Sequence, residues 1–273
     1  MDDIKIITVY CIIEDTMRTL GHTSHYLAQV SDPEVLTVAV VSAMYFQNHH
    51  ERALCVMRGM RYLTKPISVS RFSRRLHALA QWLEYLVEVI CSLFAHGSAF
   101  IIDSIPVPVC KRVRAFRCVK IDGRLSRAYF GWCAAKKEKF FGWRLHLICT
   151  REGLPVAFQM LPGGWHDLVP IHELTFRLPE GASVYGDKAY ISAPTEEALL
   201  AEGGIKLVAV RKANMHEQNT FEEWCDLKWY RPSIETVNSQ LEKMGIERLY
   251  ARTNEGLSIK VLACMLALVC INL

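Results

Sequence analysis

The chain has 273 residues, of which 51% are hydrophobic and 22% are charged, and its formal net charge is +4. This composition excludes an intrinsically disordered chain, and the length allows one large domain or two smaller ones. The ten cysteines are scattered and contain no Cys-x-x-Cys pair, so we predict reduced thiols that mostly fill the core. The acidic start argues against a signal peptide, and the apolar residues 261–273 are too few for a membrane span of about 20 residues. We therefore expect a cytoplasmic protein without membrane contact, closed by a buried helix.

Residues 1–96 are predicted to form a helical region, because their apolar positions recur at helical spacing. Ser31, followed by Pro33 and Glu34, marks the start of one helix. A later helix, capped by Ser68 or Ser70, is predicted to expose three arginines: Arg71, Arg74 and Arg75. A helix-turn-helix DNA reader is one interpretation of this region. The alternative is a solvated basic face on a helical bundle.

Residues 97–273 mix strands and helices. We predict strands at residues 99–104, 141–150, 155–161, 183–185 and 206–210. Helices are predicted at residues 168–176, 194–201, 233–244 and 258–273. A hairpin turn at Glu152-Gly153 joins the second and third strands. Antiparallel strands followed by strand–helix alternation predict an α+β domain with a mixed sheet, and no phosphate-loop or dinucleotide-binding glycine motif occurs.

A basic insertion, residues 110–140, interrupts this second region. Ten basic and two acidic residues lie between positions 111 and 139. The basic residues are Lys111, Arg112, Arg114, Arg117, Lys120, Arg124, Arg127, Lys136, Lys137 and Lys139. Charge this concentrated predicts a surface that binds a polyanion, and nucleic acid is the expected partner.

Two apolar runs each end on an aspartate. Asp103 follows residues 99–102, and Asp187 follows Val184, Tyr185 and Gly186. Ligands bind at the carboxyl ends of strands in open α/β sheets, so both acids are candidate metal ligands. Glu235 lies beside the apolar stripe of the predicted helix 233–244, whose first turn would contain Pro232. Arg231, four residues before Glu235, is spaced to hold its carboxylate or to contact a phosphate.

Three carboxylates suffice for two Mg²⁺ or Mn²⁺ ions, which catalyse phosphoryl displacement in many nucleic-acid enzymes. A competing interpretation takes His146, His166 and Asp167 as a hydrolytic or metal site. Adjacent residues point apart, however, and Asp167 also suits the cap of the helix that follows it.

Five short motifs, in this order, resemble the bacterial insertion-sequence transposases of the DDE type, whose catalytic domain has an RNase H-like fold. The motifs are residues 102–107, 141–148, 162–167, 186–190 and 231–243, and residues 251–256 follow as they do in these transposases. The resemblance covers about residues 97–273, which would form the catalytic domain, and it extends more loosely to a DNA-binding or accessory region at residues 1–96.

The resemblance implies that Asp103, Asp187 and Glu235 bind the catalytic metals, with Asp103 bridging them. It also implies that Arg231 and Lys243 contact DNA, and that a homodimer acts on paired element ends and on target DNA in the bacterial nucleoid. Two alternatives stay open. One is an RNase H-like nuclease that cuts without joining, and the other is a non-catalytic, sequence-specific DNA-binding protein derived from an element.

Overall fold

The computed structural model describes residues 1–63, 65–118, 126–134 and 136–273. The chain divides into two compact units. The helical unit contains residues 1–89 and 240–273, and the sheet unit contains residues 90–239. The predicted domain ranges, 1–96 and 97–273, remain a prediction, and the compact units divide the chain differently because residues 240–273 pack with the N-terminal helices.

The helical unit is built around two apolar helices, Asp32–Phe46 and Asn254–Asn272. Its helices are α1 (Asp3–Thr19), α2 (Asp32–Phe46), α3 (His50–Gly59), α4 (Val69–Ala78), most of α5 (Ala80–Ser92) and α9 (Asn254–Asn272). Ser31 caps α2 at the start that the sequence predicted, and it forms a capping box with Glu34. The amide of Asn48 donates to the carbonyl of Met244, 3.0 Å away, which ties the C-terminal segment to the end of α2.

Helix α9 is, among the described residues, the one helix long and apolar enough to cross a membrane by length and composition. Residues 261–270 are all buried within the protein, and 67% of its most apolar window is buried. This burial is typical of the core helix of a folded domain, as predicted for the end of the chain.

The sheet unit contains a six-stranded mixed sheet. Its strands are β1 (Ala99–Lys111), β2 (Phe130–Cys133), β3 (Glu138–Cys149), β4 (Pro155–Pro162), β5 (Ser183–Gly186) and β6 (Lys206–Ala209). Their order is β2-β3-β1-β5-β6, and β4 also pairs with β3. Strands β1 to β4 pair antiparallel, whereas β5 pairs parallel with both β1 and β6. The α+β class, the mixed sheet and the helical region before it are as predicted.

Helices cover this sheet through two apolar clusters. The helices are α6 (Ile171–Thr175) and α7 (Ala193–Gly203), which pack in one cluster, and most of α8 (Phe221–Lys243), which packs in the other. Phe100, Ile102 and Val184 from the strands pack with Ile171 and Leu199 from α6 and α7. This cluster holds β1 and β5 where they pair, next to the candidate acids.

The five predicted strands all form, and the predicted β3–β4 turn contains Gly153 with a positive φ of 86°. Strand β2 was not predicted, because it is a four-residue strand within basic sequence. Strand β1 was predicted to stop at residue 104 but continues to Lys111. In the described residues β5 pairs with β1 only up to Ile101, so the later part of β1 has a free edge. Strands tolerate proline at such an edge, which explains how Pro106 and Pro108 fit within β1.

The start predicted for α8 is wrong. The helix begins at Phe221, so Pro232 lies inside it and Glu235 lies near its middle instead of in its first turn. An interior proline costs about 3 kcal/mol because it removes a backbone hydrogen bond and crowds the preceding turn. Leu227 and Tyr230, in the turns before Pro232, pack on Tyr185 and Val208, and this packing keeps the helix continuous.

Candidate active site

Asp103 and Asp187 lie next to each other because of the parallel register of β1 and β5. Ile101 pairs with Tyr185, and each aspartate lies two residues beyond that pair. The sequence predicted Asp103 at the end of its strand, but β1 continues beyond it to Lys111. Asp103 lies where β1 loses β5 as a neighbour and the sheet opens.

Glu235 completes a set of three acids around one cleft. Asp103, Asp187 and Glu235 all line this cleft, together with Arg231. Leu227 and Ile234 contribute part of its apolar wall from the same helix, α8. The structure thus brings together the three carboxylates that the sequence singled out, although they are 84 and 48 residues apart along the chain.

Asp103 is held by two hydrogen bonds. Its Oδ1 accepts from the backbone N–H of Ser104, and its Oδ2 accepts from the side-chain amide of Asn238, each at 2.7 Å. The pKa of Asp103 is raised to about 6, chiefly by burial and also by the nearby carboxylates of Asp187 and Asp167, while the two hydrogen bonds act in the opposite direction. A negative charge is therefore costly at Asp103, and a bound cation would offset that cost.

Asp187 is exposed and also shapes the backbone. Its Oδ1 accepts from the N–H of Ala189, 2.8 Å away, and caps the short 3-10 helix Lys188–Tyr190. The preceding Gly186 allows a close approach to the core, because a Cβ there would lie 2.9 Å from Cδ2 of Tyr190 and 3.1 Å from Cγ2 of Ile102. The glycine is thus required by internal packing.

Glu235 is exposed and forms an ion pair with Arg231, whose Nε lies 3.0 Å from Oε1 of Glu235. Sequence spacing predicted this contact. Exposed pairs of this kind contribute about 0.3–0.5 kcal/mol, so Glu235 can exchange this partner easily.

The donor set fits a hard divalent cation, since three carboxylates face one cleft and Mg²⁺ and Mn²⁺ prefer oxygen ligands. Within the described ranges, no group of three or more His, Cys, Asp or Glu side chains is close enough to hold a metal as arranged here. Glu235 would have to release Arg231 to join Asp103 and Asp187.

A polar cluster lies beside Asp103. Ser104 donates to Oδ1 of Asp167 at 2.6 Å, and Arg144 donates to Ser104 at 3.1 Å. Asp167 also lies 3.8 Å from a guanidinium nitrogen of Arg144 and 3.7 Å from Nδ1 of His146. Asp167 therefore connects β1 to β3, and its predicted role as a helix cap is wrong because α6 has Pro170 at its N-cap and no side-chain cap.

The competing histidine site is not assembled. His146 is fully buried, neither ring nitrogen has a hydrogen-bond partner among the described residues, and burial lowers its pKa to about 4. His166 is exposed and its Nδ1 accepts from the backbone N–H of Leu168. The neutral His146 is a core residue beside the polar cluster.

The described residues of the basic insertion present their charges to solvent. Exposed members are Lys111, Arg112, Arg114, Arg117, Arg127, Lys136, Lys137 and Lys139. Lys111 pairs with Glu138 at 3.2 Å, and Arg112 lies over the ring of Phe130. Lys120 and Arg124 lie outside the described residues.

The arginines of α4 differ from one another. Arg71 and Arg74 are exposed, as predicted, but Arg75 is partly buried, pairs with Asp32 and donates to the carbonyl of Val30. Arg75 thus holds α4 to the start of α2 instead of facing a partner. Residues 60–68 separate α3 from α4, which is longer than the about three- to four-residue turn of a helix-turn-helix. Lys243 is exposed at the end of α8.

Sequence reasoning missed two groups that position the site. Asn238 lies three residues after Glu235, a spacing that places both on one side of α8, but the sequence did not indicate which strand they face. Tyr185 donates to Asp226 at 2.8 Å and stacks on Tyr230 with ring centroids 4.6 Å apart, which fixes α8 to β5. Burial and the bond to Asp226 both raise the pKa of Tyr185.

A mixed sheet, a cleft lined by three carboxylates and a basic insertion define an α+β domain suited to phosphate chemistry on nucleic acid. The family model described as the transposase DDE domain matches residues 95–252, which is more than half of the chain. The chain therefore belongs to the transposase DDE family, and the mixed sheet agrees with the RNase H-like catalytic domain that the motifs led us to expect.

Solved structures with some similarity include complexes of the Mos1 transposase. The Mos1 paired-end complex with the left transposon end has 12% identity and a TM-score of 0.23, over 84% of this chain and 82% of that one. A pre-cleavage Mos1 transpososome has 10% identity and a TM-score of 0.25, over the same shares of the two chains. TM-scores this low do not define a common structure. No curated protein is significantly similar in sequence.

Proposed function

We propose that this transposase cuts the phosphodiester at each end of its element and joins the freed 3′ end to target DNA. The observation that carries the proposal is the placement of Asp103, Asp187 and Glu235 around one cleft, in a chain of the transposase DDE family. Water is the nucleophile of the first step, and the 3′-hydroxyl released by that step is the nucleophile of the second. Both steps are in-line displacements at phosphorus, so one site serves both.

Asp103, Asp187 and Glu235 would hold two Mg²⁺ or Mn²⁺ ions in this proposal. Such ions stabilise charge on the attacking and leaving oxygens. Asn238 and the backbone of Ser104 orient Asp103, and the cap that Asp187 forms on Ala189 fixes its position. Glu235 breaks its weak ion pair with Arg231 to join Asp103 and Asp187. The guanidinium of Arg231 is then available to a DNA phosphate.

In this proposal basic side chains hold the DNA. The exposed residues of the insertion contact phosphates, and Arg231, Lys243, Arg71 and Arg74 are further proposed contacts. Such binding releases counterions, so the affinity should fall steeply as salt increases. We further propose a homodimer that pairs two element ends, because both ends must reach one target. A location in the bacterial nucleoid remains a prediction.

A strand-transfer assay tests the proposal. The substrate is a labelled DNA end taken from inverted repeats that flank the coding region, incubated with the protein, Mg²⁺ and an unlabelled target. We expect a cut product and a joined product, both absent in EDTA. A cut product alone would indicate a nuclease, and a mobility shift without cleavage would indicate a DNA-binding protein.

A further inference from the structure

One face of α8 carries a continuous row of exposed side chains that ends at the cleft. We call this row the α8 stripe; it consists of Phe221, Trp224, Lys228, Arg231 and Glu235. Steps of three and four residues place these side chains on one side of a helix. All five are exposed, and Arg231 and Glu235 also line the cleft.

The first half of the stripe is aromatic and accessible. Phe221 is 79% exposed and Trp224 is 48% exposed. Their rings stack, with centroids 6.4 Å apart and an interplanar angle of 23°. These two rings do not hold α8 on the sheet, because the helix packs there through Leu227 and Tyr230.

In the second half of the stripe, two basic residues, Lys228 and Arg231, precede the acidic Glu235. Nζ of Lys228 lies 4.0 Å from the centre of the Trp224 ring, and Arg231 follows one turn later. Aromatic rings flanked by cations are the combination with which proteins bind unpaired nucleic-acid strands, since bases stack on the rings and phosphates pair with the cations. A purely apolar partner would offer no counter-charge to the ammonium group of Lys228.

The dimensions of the stripe match a short piece of one DNA strand. Trp224 and Glu235 are separated by 11 residues, or about 16 Å along the helix axis. At the rise of about 3.4 Å per nucleotide in one strand of a duplex, this distance spans about five nucleotides, and fewer in an extended strand.

We propose that the α8 stripe binds an unpaired stretch of DNA strand adjoining the phosphate at the cleft, with bases stacked on Phe221 and Trp224 and phosphates paired with Lys228 and Arg231. This inference rests on the proposed function, because it takes DNA as the substrate. It adds that the strand next to the reacting phosphate is recognised in an unpaired form. A phosphate on Arg231 also competes with Glu235 for the guanidinium, so strand binding releases Glu235 toward the cleft.

The test measures binding without catalysis. Fluorescence anisotropy in EDTA compares a short labelled duplex of arbitrary sequence with the same duplex carrying a short unpaired thymidine extension. We expect the wild-type protein to bind the extended duplex about tenfold more tightly, in line with the stacking of one or two bases. Trp224→Ala should abolish this preference and leave the affinity for the blunt duplex unchanged. Trp224→Phe should keep most of the preference.

Trp229 provides a matched control on the same helix. It is 60% exposed but lies on a different face, under the guanidinium of Arg151 at 4.2 Å, so Trp229→Ala should retain the full preference. Circular dichroism checks that all variants fold. A 2-aminopurine base in the extension should be quenched by the wild-type protein and not by Trp224→Ala.

Three results would overturn the inference: no preference in the wild-type protein, a full preference in Trp224→Ala, or an equal loss in Trp229→Ala. Altered self-association of Trp224→Ala with its preference retained would assign the rings to a protein partner instead. Because these measurements need no cleavage, they are independent of the strand-transfer assay. A protein that cuts and joins without any preference would refute this inference and leave the proposed function intact.

Discussion

The amide of Asn238 on α8 donates a 2.7 Å hydrogen bond to Oδ2 of Asp103 on β1. Glu235 lies on the same side of the helix, three residues earlier. One bond therefore sets the register between the helix that carries one acid and the strand that carries another. Asn238 is a positioning residue in our account, and Asp103 is the group that it orients.

Replacing Asn238 should weaken the site without unfolding the domain. We expect Asn238→Ala to slow strand cleavage about tenfold or more, because a hydrogen bond to a charged group contributes about 1.5–3 kcal/mol. The Mg²⁺ concentration needed for half-maximal cleavage should also rise, which a merely structural loss would not cause. Ser239→Ala, at an exposed neighbouring position, is the control. An unchanged rate and Mg²⁺ dependence in Asn238→Ala would argue against the positioning role.

Gly186 should not accept even a methyl group. Its Cβ would lie 2.9 Å from the ring of Tyr190 and 3.1 Å from Ile102, both of which belong to the core of the sheet unit. We expect Gly186→Ala to lower the free energy of unfolding by about 1–3 kcal/mol, measured by urea denaturation. Gly59→Ala has open space around the added Cβ and should be neutral or slightly stabilising. Equal stabilities for the two variants would contradict the close approach at Gly186.

The polar cluster around Asp167 should contribute to stability through Arg144. Their side chains are 20% and 15% exposed, so Asp167→Asn leaves a poorly hydrated guanidinium without its counter-charge. We expect a loss of about 2 kcal/mol in the free energy of unfolding, less than for a fully buried pair. Glu138→Gln, which breaks the exposed pair with Lys111, should change stability by less than about 0.5 kcal/mol. A loss no larger than that of Glu138→Gln would show that the cluster has no structural role.

Charge reversal in the basic insertion should weaken DNA binding and reduce its salt dependence. Replacing Lys136, Lys137 and Lys139 by glutamate should lower the slope of log K against log salt by about 0.9 for each DNA phosphate that the protein no longer neutralises. Binding titrations of a labelled duplex at several salt concentrations measure this slope. Arg18→Glu on α1 serves as a control reversal. Unchanged affinity and slope in the triple variant would exclude the insertion from the DNA surface.

The acids and their strands were predictable because an uncharged, largely apolar run that stops at an aspartate is visible in a sequence. Residues 99–102 and 183–186 are such runs, and both form parallel strands of the sheet. The first half of α8 was not predicted, because Pro232 has the appearance of a helix start. The structure shows a capping box at the true start, where Thr220 and Glu223 each accept from the backbone N–H of the other, and the packing of Leu227 and Tyr230 on β5 and β6 supports this part of the helix.

The sequence did not indicate which residue holds Asp103. Asn238 and Asp103 are separated by 135 residues, and their contact depends on how α8 lies on the sheet. The sequence grouped Arg75 with Arg71 and Arg74, whereas the structure pairs it with Asp32. Such contacts depend on tertiary packing, which periodicity and spacing do not specify.

Asp187→Asn tests the central claim most directly. Asparagine has the same shape, and its side-chain oxygen can still accept from the N–H of Ala189, so the fold and DNA binding should persist. Glu197→Gln, an exposed change on α7, is the matched control. With a labelled element end in Mg²⁺, we predict no cut or joined product from Asp187→Asn and normal amounts of both from the control. Cleavage and joining by Asp187→Asn at wild-type levels would contradict the assignment of Asp103, Asp187 and Glu235 as the catalytic acids.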